Sequence, residues 1–373
     1  MTSMSIQMDS TSLVLFQYGA VHEEIAPAFL TACNTLNQRI NISLHNGSLR
    51  NKGNVFDAFG KESLEGHQII YRPSGPSDAK PDDQLEDLVE TLDKACVIFL
   101  TLQNPWTIDI AERLQSKGVL VTGIIHNIDK ACRDRSVLSF WKKTSNIPIV
   151  LSSHVQCSLA TRLQRPTDSI RVLHSTFTPQ TPLDQPEYPL NNRILIAISG
   201  GINYGTRPFR QLIEALVKLK RQCPLISSQL EFVLLGGGVD RDRLFSEVQQ
   251  SGLSDSFHFS KVSTETGRSS YGEYYNLLST CHYILILDHK AYTSLKITSA
   301  VPTSISFLKP VIASKEFLTT YQLDGAGIEA DDLQSAFCSI ISKKEWLAQV
   351  QCLREIRAKQ LQSNIQLVKR LLR

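Results

Sequence analysis

Two glycine-rich stretches of this chain close apolar runs, the arrangement that lets backbone amides approach a phosphate. The first reads Ser199-Gly200-Gly201-Ile202-Asn203-Tyr204-Gly205-Thr206-Arg207. Its glycines would bring amides close to an anion and Arg207 would add a fixed positive charge, although paired glycines after a strand also serve simply as a turn. The second is Leu234-Leu235-Gly236-Gly237-Gly238. There Gly236 and Gly237 could admit a base or ribose at a strand's carboxyl end, or form a flexible turn. A third segment, Tyr292 to Ser314, carries Lys296, then Thr298 or Ser299 as an N-cap, then Pro302 in the first turn of a helix. Such a helix start points unpaired amides at a diphosphate, and Lys296 could neutralise the second phosphate charge or stay a solvated loop lysine.

In the first half, Tyr18-Gly19 with His22 follows one apolar run, and Gly123-Ile124-Ile125-His126-Asn127-Ile128-Asp129 contains another. His126 and Asn127 at a strand end could hydrogen-bond sugar hydroxyls or assist proton transfer; a structural role for the histidine fits the same position. Neither the G-x-S-x-G elbow nor the P-loop pattern occurs, and His22-Glu23-Glu24 lacks the second histidine of a zinc signature. His154 with Cys157 and Cys281 with His282 have no further ligands nearby, so no metal is expected.

Strand-length apolar runs must carry these residues. Leu13–Tyr18, Ala95–Leu102, Val119–His126 and Ile147–Ser152 alternate with helical patterns at 83–94 and Thr107–Lys117. After Phe177 to Asn192, which holds four prolines, the pattern restarts with strands at Arg193–Ile198, Leu230–Leu235, His282–Asp288 and Pro310–Ser314. Strand-helix-strand repetition with right-handed crossovers gives doubly wound parallel sheets. The expected organisation is a first α/β domain at 1–176, a linker at 177–192, a second α/β domain at 193–342, and C-terminal helices at 343–373 that pack back across the domains.

At 373 residues, with 42% hydrophobic and 20% charged side chains, the chain is long enough for two cores. A net charge of +3 advertises no nucleic-acid surface, and eight scattered cysteines fit reduced thiols in cytosol. No run is long and apolar enough to span a membrane. The basic residues Arg357, Lys359, Lys369, Arg370 and Arg373 suit a helix C-terminus and could also place the tail on the inner face of an anionic membrane.

Across most of its length the chain resembles the GT-B glycosyltransferases, two Rossmann-like domains facing across a cleft, and particularly the retaining family 4 group. The resemblance rests on GIIHNID, on GGINYGTR from Gly200 to Arg207, on FVLLGGG, on YGEYYNLL, and on FLKPVI from Phe307 to Ile312. It implies metal-independent sugar transfer with retention from a nucleotide-sugar, a substrate rather than a cofactor, to a glycan, lipid-linked or small-molecule acceptor. It assigns His126, Arg207 and Lys296 to catalysis. Gly200, Gly201, Gly236, Gly237, Thr298 and Ser299 fall to the donor, and Tyr18, Gly19, His22 and Asn127 to the acceptor side. The sequence departs from the family where two glutamates stand in its pattern, with Leu295 and Thr303 at those places. A non-catalytic binding or scaffold subunit and a nucleotide-sugar epimerase are the alternatives.

Overall fold

The computed structural model describes residues 12–19, 22–72, 90, 95–179, 193–262, 269–287, 290–340 and 342–373. Apart from Glu90, the helical pattern at 83–94 lies outside the described residues, as do positions 180–192 of the expected linker. The chain forms two compact units. The first comprises residues 1–50, 61–175 and 361–373, the second residues 51–60 and 176–360.

The first unit is built on β1 (Ser12–Phe16), β2 (Ile40–His45), β3 (Gln68–Arg72), β4 (Ala95–Phe99), β5 (Leu120–Ile124), β6 (Pro148–Val150) and β7 (Arg171–Val172). They form one sheet in the order β3-β2-β1-β4-β5-β6-β7, every pair parallel. Parallel strands covered on both faces need apolar residues on both, and β4 (ACVIF) is buried at all five positions. Phe16 of β1 and Phe99 of β4 meet edge to face at 5.4 Å between centroids. β2, β3 and β7 escape the apolar-run criterion. β2 carries Asn41 and Ser43 among its isoleucines, β3 stands at the sheet edge with polar Gln68 and Arg72, and β7 has two residues.

The second unit repeats the plan with β8 (Ile194–Ile198), β9 (Leu230–Leu234), β10 (Phe257–Phe259), β11 (Tyr283–Leu285), β12 (Val311–Ala313) and β13 (Gly327–Glu329). The order is β10-β9-β8-β11-β12-β13, again wholly parallel. Its core centres on Phe232, whose ring lies 5.3 Å from Phe257 and 5.4 Å from Phe337. Both sheets are doubly wound α/β sheets of the Rossmann type. Each reverses direction at its middle, between β1 and β4 and between β8 and β11, and ligands of such sheets sit beyond the carboxyl ends of those strands.

The C-terminal segment is one helix, Lys343–Leu371, of 29 residues. Its last residues belong to the first unit, where buried Asn364 accepts from the His174 amide at 2.9 Å and donates to the His174 carbonyl at 2.7 Å. Arg357 donates to the Ser306 carbonyl at 2.9 Å, and burial lowers its pKa. Lys369, Arg370 and Arg373 are exposed. No helix among the described residues is long and apolar enough to cross a membrane.

Candidate functional site

In the second unit the residues that could hold an anion converge on the reversal point between β8 and β11. β8 runs directly into Ser199, which is buried, and its hydroxyl lies 2.6 Å from that of Tyr274. Tyr274 sits in the first turn of the helix Tyr271–Thr280, whose N-cap Ser270 accepts from the Glu273 amide at 3.2 Å. Burial raises the Tyr274 pKa, opposed by hydrogen bonds with Ser199 and Thr303 and by the charge of Arg207. Thr303 belongs to the helix Ala300–Phe307 and donates to the Ser299 carbonyl at 2.7 Å. The guanidinium of Arg207 folds back and donates to the Ser199 carbonyl. A hydrogen-bonded chain therefore links Arg207, Ser199 and Tyr274, with Thr303 at the start of that helix beside the tyrosine hydroxyl. Together these residues offer a fixed cation, three hydroxyls and a helix N-terminus, all suited to an anionic group.

The glycines do something other than the sequence suggests. Gly200 has φ +89°, and a Cβ there would stand 2.2 Å from the Arg207 guanidinium. A Cβ on Gly236 would stand 2.2 Å from the Gly200 carbonyl oxygen, and one on Gly238, with φ +153°, 2.3 Å from the Ile202 carbonyl. The Gly237 carbonyl accepts from the Ile202 amide at 2.8 Å. The neighbouring loop thus packs against the backbone at Gly236 and is hydrogen-bonded by the Gly237 carbonyl. Gly201 is exposed and leaves its own face open.

Burial bears on one further expectation, that for Thr298. Thr298 is only 3% exposed; its hydroxyl accepts from the Ala300 amide at 3.4 Å and its amide donates to the Tyr321 hydroxyl at 3.3 Å. It shapes the loop and presents no surface to a phosphate. Ser299 is the exposed N-cap, but its side chain makes no capping bond. Lys296 lies in the same segment with its ammonium 4.3 Å from the centre of the Tyr292 ring. That ring contact, rather than a bond to the Arg207 chain, is what positions it. Lys309 of the FLKPVI signature is a buried tether, its ammonium donating to the Ser279 carbonyl at 2.7 Å and its pKa pushed down to about 8 by burial.

In the first unit the expected residues gather beyond β1, β4 and β5. The His22 and His126 rings stack at 3.5 Å, 14° from parallel. His126 Nε2 lies 2.6 Å from the Leu100 carbonyl, which can only accept, so Nε2 carries the proton and Nδ1 the lone pair. Burial, then the neighbouring His22, pushes the His126 pKa down to about 3. At neutral pH this imidazole is uncharged and accepts at Nδ1; it has no proton to give there as a general acid. Asn127 is the N-cap of the helix Ile128–Arg133, its side-chain oxygen accepting from the Lys130 amide at 3.1 Å. That oxygen serves the helix. Tyr18 lies against Trp106, with ring centroids 3.7 Å apart, and Trp106 is 44% exposed. Gly19 beside it has nothing within 4 Å of a built Cβ.

Sequence reasoning missed the glutamines that hold this cluster. Gln103 Oε1 accepts from the His126 amide at 2.9 Å and the Asn127 amide at 3.0 Å. Buried Gln17 donates to Glu23 at 3.0 Å and to Ser48 at 3.1 Å while accepting from the His45 amide at 2.9 Å. Both follow directly on apolar strand-like runs, Gln17 after Leu13 to Phe16 and Gln103 after Ala95 to Leu102, and an amide there is the available signal. Among the described residues no group of three or more metal-binding side chains occurs.

No protein-family model and no curated protein matches the chain. Solved structures do. A structure from E. coli described as trehalose-6-phosphate bound with UDP-2-fluoro glucose matches with a TM-score of 0.60 at 9% identity, covering 98% of this chain and 99% of that one. An α,α-trehalose-phosphate synthase (UDP-forming) from Burkholderia vietnamiensis gives 0.57 at 9% identity, over 97% and 98%. The apo form of the lipopolysaccharide outer core galactosyltransferase WaaB gives 0.52 at 9% identity, over 95% and 98%. The chain thus has the two-unit α/β fold of GT-B glycosyltransferases.

Proposed function

We propose that the chain is a glycosyltransferase that takes a sugar from a nucleotide-sugar donor and transfers it with retention to a glycan, lipid-linked or small-molecule acceptor. The carrying observation is the hydrogen-bonded series Arg207, Ser199 and Tyr274, with the helix start at Thr303 beside it, which sets a cation and a helix start at the reversal point of the second sheet. Nucleotide diphosphates leave as anions, and groups held in place before the reaction stabilise developing charge without having to reorganise. Arg207, the exposed Gly201 amide and the helix start at Ser299 would receive the diphosphate without a metal ion, and Lys296 would contribute long-range charge. In the first unit, Tyr18, Gly19, His22 and His126 would meet the acceptor, His126 accepting a hydroxyl proton in a hydrogen bond at Nδ1. The proposed division of labour is donor binding by the second unit and acceptor binding by the first. Solved structures with this fold, one of them bound with a UDP-sugar analogue, support the donor class.

A thermal-shift screen against UDP, GDP, ADP and their sugar conjugates tests the reading, since a ligand selective for the folded state raises Tm by mass action. One nucleotide should raise Tm in the parent and much less in Arg207→Ala. No shift with any nucleotide would overturn donor binding. Leu295 and Thr303, standing where the resembled family has carboxylates, favour a second reading as a non-catalytic binding subunit. Nucleotide binding without turnover over a broad acceptor panel would select it, and conversion of free donor without acceptor would indicate an epimerase.

A further inference from the structure

Two cysteines far apart in sequence meet on the surface of the second unit. Cys223 is the C-cap of the helix Phe209–Gln222 and also the N-cap of the short helix Pro224–Ser227, with its amide donating to the Leu219 carbonyl at 2.7 Å. Cys338 lies in the helix Leu333–Ser339, which packs on Phe209–Gln222. Cys338 lies near enough to Cys223 for that neighbour to help raise its thiol pKa. One helical turn before Cys338, the Gln334 amide donates at 2.5 Å to Oε1 of Gln222, the residue before Cys223, so the two helices are joined beside the cysteines. Phe337 anchors the second helix from below, fully buried against Phe232. Cys338 is exposed and Cys223 half-buried, whereas Cys33, Cys96 and Cys281 are buried.

We propose that Cys223 and Cys338 form a reversible disulfide modification site, oxidised by a low-molecular-weight disulfide such as glutathione disulfide. One protein thiolate attacks the small disulfide, forming a mixed disulfide and releasing one small thiol. The other protein thiolate then attacks the protein-bound sulfur, closing the Cys223–Cys338 bond and expelling the second small thiol. Two protein thiols are oxidised, one small disulfide is reduced to two thiols, and the two protons lost by the cysteines end on the released thiols. The bond would tie the helix that follows the Gly200–Arg207 loop to the Leu333–Ser339 helix. Closing so long a loop constrains chiefly the unfolded chain.

Partial burial, the Cys223 sulfur and Asp332 together hold the Cys338 thiol above its ordinary range, so the cross-link should form faster as pH rises. The test incubates the folded full-length protein with glutathione disulfide and follows it by non-reducing peptide mapping and thermal melting. A linked peptide pair containing Cys223 and Cys338, the loss of two hydrogens in mass, and a rise in Tm of about 5 °C that dithiothreitol reverses are expected. Cys223→Ser and Cys338→Ser should each abolish the linked pair and the rise. Stable glutathione adducts on Cys338 with Cys223 still titratable would overturn the proposal. So would a Cys338→Ser protein that still gains the same thermal shift, or a cross-link that forms only after denaturation.

Discussion

The two units share one strand order and place their candidate residues at the same topological point, yet the two points are chemically unlike. Beyond β8 and β11 the backbone is glycine-rich, two loops interlock carbonyl against Cα, and a guanidinium is folded over them. Beyond β1 and β4 the space is filled with rings, Tyr18 on Trp106 and His22 on His126, and one of the histidines is held neutral. The difference teaches that topology selects where a ligand can sit, while side-chain volume and charge select what kind. A site for a diphosphate needs close amides and fixed charge; a site for a polyhydroxyl ring needs flat apolar faces and neutral acceptors.

The comparison breaks most sharply at glycine. Gly238→Ala puts a Cβ against the Ile202 carbonyl at a φ that side chains rarely adopt, and the backbone there has nowhere to yield. A loss of about 3 kcal/mol or more is expected in urea denaturation. Gly19→Ala in the first unit, with open space around it, should change stability by less than about 0.5 kcal/mol. Equal losses at the two positions would end the contrast between an interlocked and an open loop.

Charge is the next lever. Arg207→Ala should weaken binding of the nucleoside diphosphate that the thermal screen selects by about 10- to 100-fold, measured by calorimetry. Arg207→Lys should recover part of it, since the charge returns without the fork that holds Ser199. Lys296→Ala should cost only about two- to threefold, because its ammonium sits over the Tyr292 ring. His126→Gln should leave this affinity unchanged.

Acid distinguishes the units in the opposite sense. His126 and His174, both in the first unit, have pKa values lowered by burial to about 3 and about 4. Their unfolded counterparts take up a proton near pH 6.5, so between pH 6.5 and these values the unfolded chain binds more protons and stability falls as pH falls. At pH 5 each should cost about 1–2 kcal/mol, toward the smaller figure because both keep some opening to solvent. His126→Gln should flatten the stability profile between pH 6.5 and 4; an unchanged slope would remove the buried neutral histidine from the account.

One hydroxyl sharpens the site itself. Tyr274→Phe removes the hydrogen bond to Ser199, and a loss of about 1 kcal/mol is expected, read by thermal melting.

Much of this was legible in one dimension. Apolar runs at Ala95, Val119, Arg193 and Leu230 each hold a strand, because a parallel strand buried on both faces has to be apolar throughout. The same criterion passed over β2, β3, β10 and β13, which carry polar residues, or are short, or stand near a sheet edge. Glycines at 200, 236 and 238 could be recognised as places of close approach, since no other residue lacks a Cβ. What approaches could not be read, because the contact joins loops that follow two different strands. Thr298 and Asn127 were named for their polar groups, and only the fold revealed that those groups already serve the backbone. Gln17, Gln103 and Tyr274 act through partners from Ser48 to Thr303 that lie on other elements. By itself the sequence determined the class of fold, the places of its wholly apolar strands and the residues with chemistry to offer, since these follow from local hydropathy and side-chain type. Tertiary structure decided which of those side chains remain available, because hydrogen bonds and burial are settled between segments that no local pattern relates.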